Sequence, residues 1–144
     1  MNQDDTIRLL RECDAGAKMG VSSIDGVLED VRDQALNDLL RNSKRQHETL
    51  GERAAQQLNQ LGDEGKEPPL MAKGMSAMKT SMKMMGNEPD RQAADLIVDG
   101  CNMGVKSLCR YMNRFPQADT SAKDIASQLI ALEEQLAHDM RPYL

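Results

Sequence analysis

The sequence has almost no aromatic residues. Its 144 residues include no Trp, two Tyr (Tyr111 and Tyr143) and one Phe (Phe115). A core made without them must come from Leu, Ile, Val, Ala and Met, which suits helices better than a sheet. Val and Ile are too few and too scattered to make strands. No apolar run approaches the ~20 residues of a membrane-spanning helix. The chain starts Met1-Asn2-Gln3-Asp4-Asp5, acidic and without an apolar signal core, so an intracellular (cytoplasmic) location is expected. Cys13, Cys101 and Cys109 are an odd count with no C-x-x-C or Cys/His spacing. That argues against a disulfide framework and against a zinc site. G-x-S-x-G and a glycine-rich phosphate loop are both missing, and no catalytic residue is nominated. The net charge of −5 is spread with both signs mixed, which leaves no basic footprint for nucleic acid.

What the sequence does have is a stretch that occurs twice. Gly16-Ala17-Lys18-Met19-Gly20-Val21-Ser22-Ser23-Ile24 reappears 84 residues on as Gly100-Cys101-Asn102-Met103-Gly104-Val105-Lys106-Ser107-Leu108. Around the first copy, Leu10, Cys13, Ala17, Gly20, Ile24, Val27 and Val31 follow a 3-4 spacing. The same offset leads to Ala94, Ile97, Cys101, Gly104, Leu108, Tyr111 and Phe115. All are apolar or Gly, as on a helix face packed against other helices. Gly inside a helix costs about 1 kcal/mol relative to Ala. Gly16, Gly20, Gly100 and Gly104 are therefore expected to form a helix-crossing contact, the two glycine pairs facing each other if a pseudo-twofold relates the halves; a local kink or loop at Gly20 is the alternative.

In chain order, a first helix is expected from about residue 4 to 30. A tight turn follows at Val31-Arg32-Asp33, with Asp33 capping the next helix; one unbroken long helix is the competing reading. The second helix covers about 34–61, its apolar face running Leu36, Leu40, Ser43, His47, Leu50, Ala54, Gln57 or Leu58, and Leu61, with Gly62 just past its end. Gly62 to Pro69 reads as a loop, and a short helix follows over about 69–85. Pro89 opens a helix ending at Phe115-Pro116. Ser121-x-x-Asp124 resembles a capping box for a last helix over 120–141, with a face of Ile125, Leu129, Leu132 and Leu136. The chain then divides into hairpin one (4–61), a linker with a short helix (62–87) and hairpin two (88–141), within a single domain 1–144.

The short helix carries Met71, Met75, Met78, Met82 and Met85 at 4-3-4-3 spacing. Methionine commonly fills irregular core surfaces. It also makes adaptable docking faces, and its thioethers bind Cu(I). A membrane-surface role is less suited, because Trp and Phe are missing from this segment.

Two long hairpins related by duplication, joined by a long connection, resemble the ferritin-like four-helix bundle. The likeness is to small bacterial members of that superfamily of unknown function. It implies an all-α bundle of two matched hairpins, with an extra short Met-rich helix in the connection. Metal-binding members carry a Glu on each of two helices and Glu-x-x-His on each of the other two. Here Lys44 stands three residues before His47 and Gln135 three before His138; Glu134 is four before His138. The first and third helices have Ala, Cys and Gly at mid-length, where carboxylates would be needed. The resemblance thus implies a bundle without the complete di-iron centre and with no cofactor. The expected role is non-enzymatic: self-association as a homo-oligomer, or binding of a protein partner, without nucleic acid or membrane. The alternative is a metal-binding or redox protein holding iron, manganese or copper at a degenerate site drawn from His47, His138, Glu134 and Glu12. Without a metal, His47 reads as a core histidine bonded to a neighbour, and His138 as a helix C-terminal histidine favoured by the dipole.

Overall fold

The computed structural model describes residues 3–65 and 87–144. These form α1 (Gln3–Leu28), α2 (Gln34–Gln60), α3 (Pro89–Arg114) and α4 (Thr120–Met140), closed by a 3-10 turn at Arg141–Tyr143. No strand occurs among the described residues. The methionine stripe Met71 to Met85, and the short helix expected around it, lie outside them.

Local chemistry explains most helix ends. Asp33 caps α2, its carboxylate accepting from the Leu36 N–H at 2.9 Å. α2 ends in a Schellman motif: Gly62 takes φ +75°, its N–H donates to Asn59 O at 3.0 Å, and the Asp63 N–H donates to Leu58 O at 2.9 Å. Only glycine adopts that backbone conformation cheaply. Pro89 occupies the first turn of α3, where its missing N–H costs nothing. The cap of α4 differs from expectation. It is Asp119, accepting from the Ala122 N–H at 2.8 Å. Ser121 lies inside the first turn and instead accepts from Gln57 of α2 at 2.6 Å.

Each hairpin's loop is tied to the other hairpin. The Arg32 and Asp33 N–H groups, between α1 and α2, donate to the Asp90 carboxylate at the start of α3 (2.7 and 3.1 Å). The Gln117 and Asp119 N–H groups, between α3 and α4, donate to Asp5 (3.1 Å) and Thr6 (2.8 Å) at the start of α1. These bonds give the loop N–H groups fixed partners on the opposite hairpin. They also separate α1 from α2, so the single long helix does not form.

The same bonds define the topology. α1 lies antiparallel to α3, and α2 antiparallel to α4, with Gln57 meeting Ser121 and Arg53 meeting Asp124. α1 and α4 touch across one diagonal. Arg11 of α1 pairs with Asp63 just past α2, while α3 starts beside the far end of α1. α2 therefore ends and α3 starts at opposite ends of the bundle, and the helix order is up, down, down, up.

The predicted apolar faces are the buried ones. Leu10, Cys13, Ala17, Ile24 and Val27 of α1 are buried, as are Ala94, Ile97, Cys101 and Leu108 of α3. The preceding Leu9 and Ala93 join them, again 84 apart. The apolar core falls into two clusters. One gathers Leu9, Leu10, Cys13, Leu58, Ile125 and Leu129. The other gathers Ile24, Val27, Leu36, Leu40, Ile97 and Met140. Each buried Leu or Ile contributes about 1.5–3 kcal/mol. Between the clusters lies a polar midsection.

Candidate functional site

That midsection is built by one side chain from α2 and one from α4. His47 is 1 % exposed and Glu133 6 %, and His47 Nε2 lies 3.3 Å from Glu133 Oε1. The other imidazole nitrogen, Nδ1, lies 2.8 Å from the Ser43 carbonyl oxygen, one helical turn back. A carbonyl can only accept, so Nδ1 carries a hydrogen and the imidazole's orientation is set. Glu133 Oε2 is buried with no hydrogen-bond partner among the described residues.

The repeat's glycines make the room. A Cβ on Gly20 would lie 2.7 Å from His47 Nε2, and one on Gly104 would lie 2.9 Å from Glu133 Cδ. Both are closer than real Cβ contacts come. The imidazole rests on the α1 backbone and the carboxylate on the α3 backbone, with Oε2 facing the Gly104 Cα hydrogens, a weak donor at best. The expected crossing of facing glycine pairs is corrected accordingly. Gly16 and Gly100 have nothing within 4 Å of an added Cβ, so no neighbour presses on them there. Gly20 and Gly104 admit side chains from α2 and α4 rather than an opposing backbone.

Burial pushes the Glu133 carboxyl above its ordinary range, and the hydrogen bond and charge of His47 pull it back. Cys101 on α3 feels the same surroundings. Burial, with the Glu133 charge adding to it, raises its thiol to about 12. Cys13 is raised to about 12 by burial, with Glu12 and Asp14 adding. Thiols held that high are not nucleophiles near neutral pH. The chemistry this site offers is the holding of a proton.

Sequence reasoning finds half of the pair. It places His47 on the buried face of α2 but names Glu134 and His138 beside it. Both are exposed, and Glu12 is half-buried on α1. Among the described residues, no three His, Cys, Asp or Glu side chains come together as a metal would require, so those four do not converge. The missed residue is Glu133. It stands as far past the cap Asp119 as His47 stands past the cap Asp33, and the two are 86 positions apart. A signal was present: Leu129, Leu132 and Leu136 define a face on which Glu133 also falls. An acid on that stripe, in a bundle with a spare glycine at 104, marks a paired site.

Two clefts lie near the pair. One, of about 300 Å³ between α1 and α2, reaches the His47 imidazole and is walled by Ala17, Val21, Gly51 and Ala55. The other, of about 380 Å³, runs along the outer face of α2 and α4. Leu39, Leu50, Leu132 and Leu136 line it together with Asn42, Gln46, Gln128 and Gln135, and Asp139 is its one charged residue. No helix among the described residues is long and apolar enough to cross a membrane. Comparison with protein-family models, characterised proteins and solved structures returns no match.

Proposed function

We propose that the chain is a duplicated, ferritin-like bundle that works by self-association, with a His–Glu pair where metal-binding members of that superfamily hold iron. The up-down-down-up order, the 84-residue match of buried positions and the hairpin loops capped across the bundle support common descent of the two halves.

The observation that carries self-association is the outer groove of α2 and α4. In a chain where 28 % of residues are charged, this groove has leucines for walls, four side-chain amides and one acid. Interface centres are depleted of charge in this way. Its chemistry also suits a second copy. An amide both donates and accepts, so Gln46 or Gln135 can pair with the same residue across a twofold axis, which a charged side chain cannot do. The α2–α4 pair is itself antiparallel, so a twofold-rotated copy presents a matching ridge. Light scattering across a concentration series tests the reading. The wild-type protein is expected to be a dimer or larger, and Gln46→Lys with Gln135→Lys, both exposed in the single chain, is expected to return it to monomer. A wild-type mass that stays monomeric at the highest soluble concentration overturns it.

A further inference from the structure

We propose that His47 and Glu133 hold one proton between them, and that the bundle closes with uptake of that proton as the pH rises past the range where free imidazole is charged. The geometry carries this. Nδ1 already spends its hydrogen on the Ser43 carbonyl. Nε2 faces Oε1, with Oε2 turned onto Gly104 and otherwise unpartnered among the described residues. With no proton between them, a lone pair would face a buried carboxylate, and the carboxylate would have no donor at all. With two, a buried cation would face a neutral acid. With one, either an imidazolium donates to a carboxylate or a carboxylic acid donates to a neutral imidazole. Both arrangements make one hydrogen bond and leave the pair without net charge, which is the form that burial tolerates.

The ionisable neighbours do not supply a competing proton. On the α1 side, Asp14 is paired with Lys18 at 3.1 Å, and both line the cleft that reaches His47. Glu48 and Glu52 of α2 stand on the rim of that cleft and are exposed. On the α3 side, the Cys101 thiol feels the Glu133 charge, but it is raised to about 12 and so is protonated throughout. On α4, Glu133 is the sole buried ionisable residue.

The sign follows from counting protons. In the unfolded chain a glutamate releases its proton near pH 4.3 and an imidazolium near pH 6.5, about the model-peptide values. Between those values the unfolded pair carries one proton, as the folded pair does, and stability does not respond. Above about pH 6.5 the unfolded pair carries none while the folded pair keeps one. Stability then falls as pH rises, by up to about tenfold in the folding constant per pH unit. This inference does not depend on self-association and is read on the bundle itself.

Urea unfolding of the wild-type protein and of Glu133→Gln, followed from pH 5.5 to 9, tests it. The amide that this substitution introduces can donate a hydrogen to neutral Nε2 without an added proton. The wild-type folding constant taken alone is expected to be flat below about pH 6.5 and to fall above it, whereas the ratio of wild-type to variant constants, in which the unfolded imidazole cancels, is expected to fall by up to about tenfold per unit across the whole range. A ratio that does not change with pH overturns the proposal. If Glu133→Gln does not fold, nitrogen-15 NMR of the His47 imidazole in the wild-type protein decides. A protonated Nδ1 at neutral pH, with Nε2 bridged to Glu133, supports the shared proton; a hydrogen-free Nδ1 sinks it.

Discussion

Gly104 and Glu133 share one piece of space, since a Cβ on the glycine would lie 2.9 Å from the carboxyl carbon of the glutamate. Gly20 and His47 stand in the same relation one hairpin away. A helical glycine is unfavourable alone, and so is a buried acid. Together they form a seat, and the sequence carries both.

The four glycines of the repeat should therefore split into two classes. Gly16→Ala and Gly100→Ala, with open space around the new methyl, should stabilise the bundle by about 0.5–1 kcal/mol each. Gly20→Ala and Gly104→Ala should destabilise it by about 1–3 kcal/mol, as overpacking outweighs the gain in helix propensity. Thermal unfolding of the four variants checks this. Equal effects at all four positions would show that the seat does not exist.

Breaking the pair should cost more than removing it. His47→Leu or Glu133→Leu alone leaves one buried polar partner stranded, a loss of about 3 kcal/mol or more. The double leucine variant should recover most of that, because replacing a buried pair by apolar side chains is often close to neutral. A double-mutant cycle by urea denaturation measures the coupling. Additive losses would mean that the two side chains do not act as a unit.

Thiol chemistry offers a direct check on burial. Cys109 is exposed, whereas Cys13 and Cys101 are buried, with thiols raised to about 12. A colourimetric thiol reagent near pH 8 should titrate one cysteine in the native protein and all three in denaturant. Rapid reaction of three native thiols would contradict the packing.

At the helix ends, Asp119→Ala should cost about 1 kcal/mol through loss of the α4 cap. Ser121→Ala should cost less, since its hydroxyl serves only Gln57. Gly65→Ala should cost more than Gly62→Ala. Both glycines have positive φ, but a Cβ at 65 would also press on the buried Asp14 carboxylate. Ranking the four variants by chemical denaturation tests these assignments.

Much of this architecture is legible in the linear chain. Pattern matching at 84 residues picks out Leu10 with Ala94, Cys13 with Ile97 and Ile24 with Leu108, and all six are buried. Asp33, Gly62 and Pro89 read as helix boundaries because capping chemistry is local: donor, acceptor and φ all lie within a few residues. That same reasoning misplaces the cap of α4, since Ser121 and Asp119 are both adequate caps. Only the contact of Ser121 with Gln57, far away in sequence, separates them.

What the sequence by itself determined is periodicity: four helices, their apolar faces, most of their ends and the likeness of the two halves. These follow from a 3.6-residue repeat and from short-range sterics. Which polar group would face His47 was decided only by the tertiary structure. Glu133 and Glu134 are neighbours in sequence and chemically the same, yet a step of one residue turns a side chain about 100° around a helix. That turn places Glu133 over Gly104 in the core and leaves Glu134 in solvent. The antiparallel crossing of α2 and α4 sets the level at which the chosen carboxylate meets the imidazole.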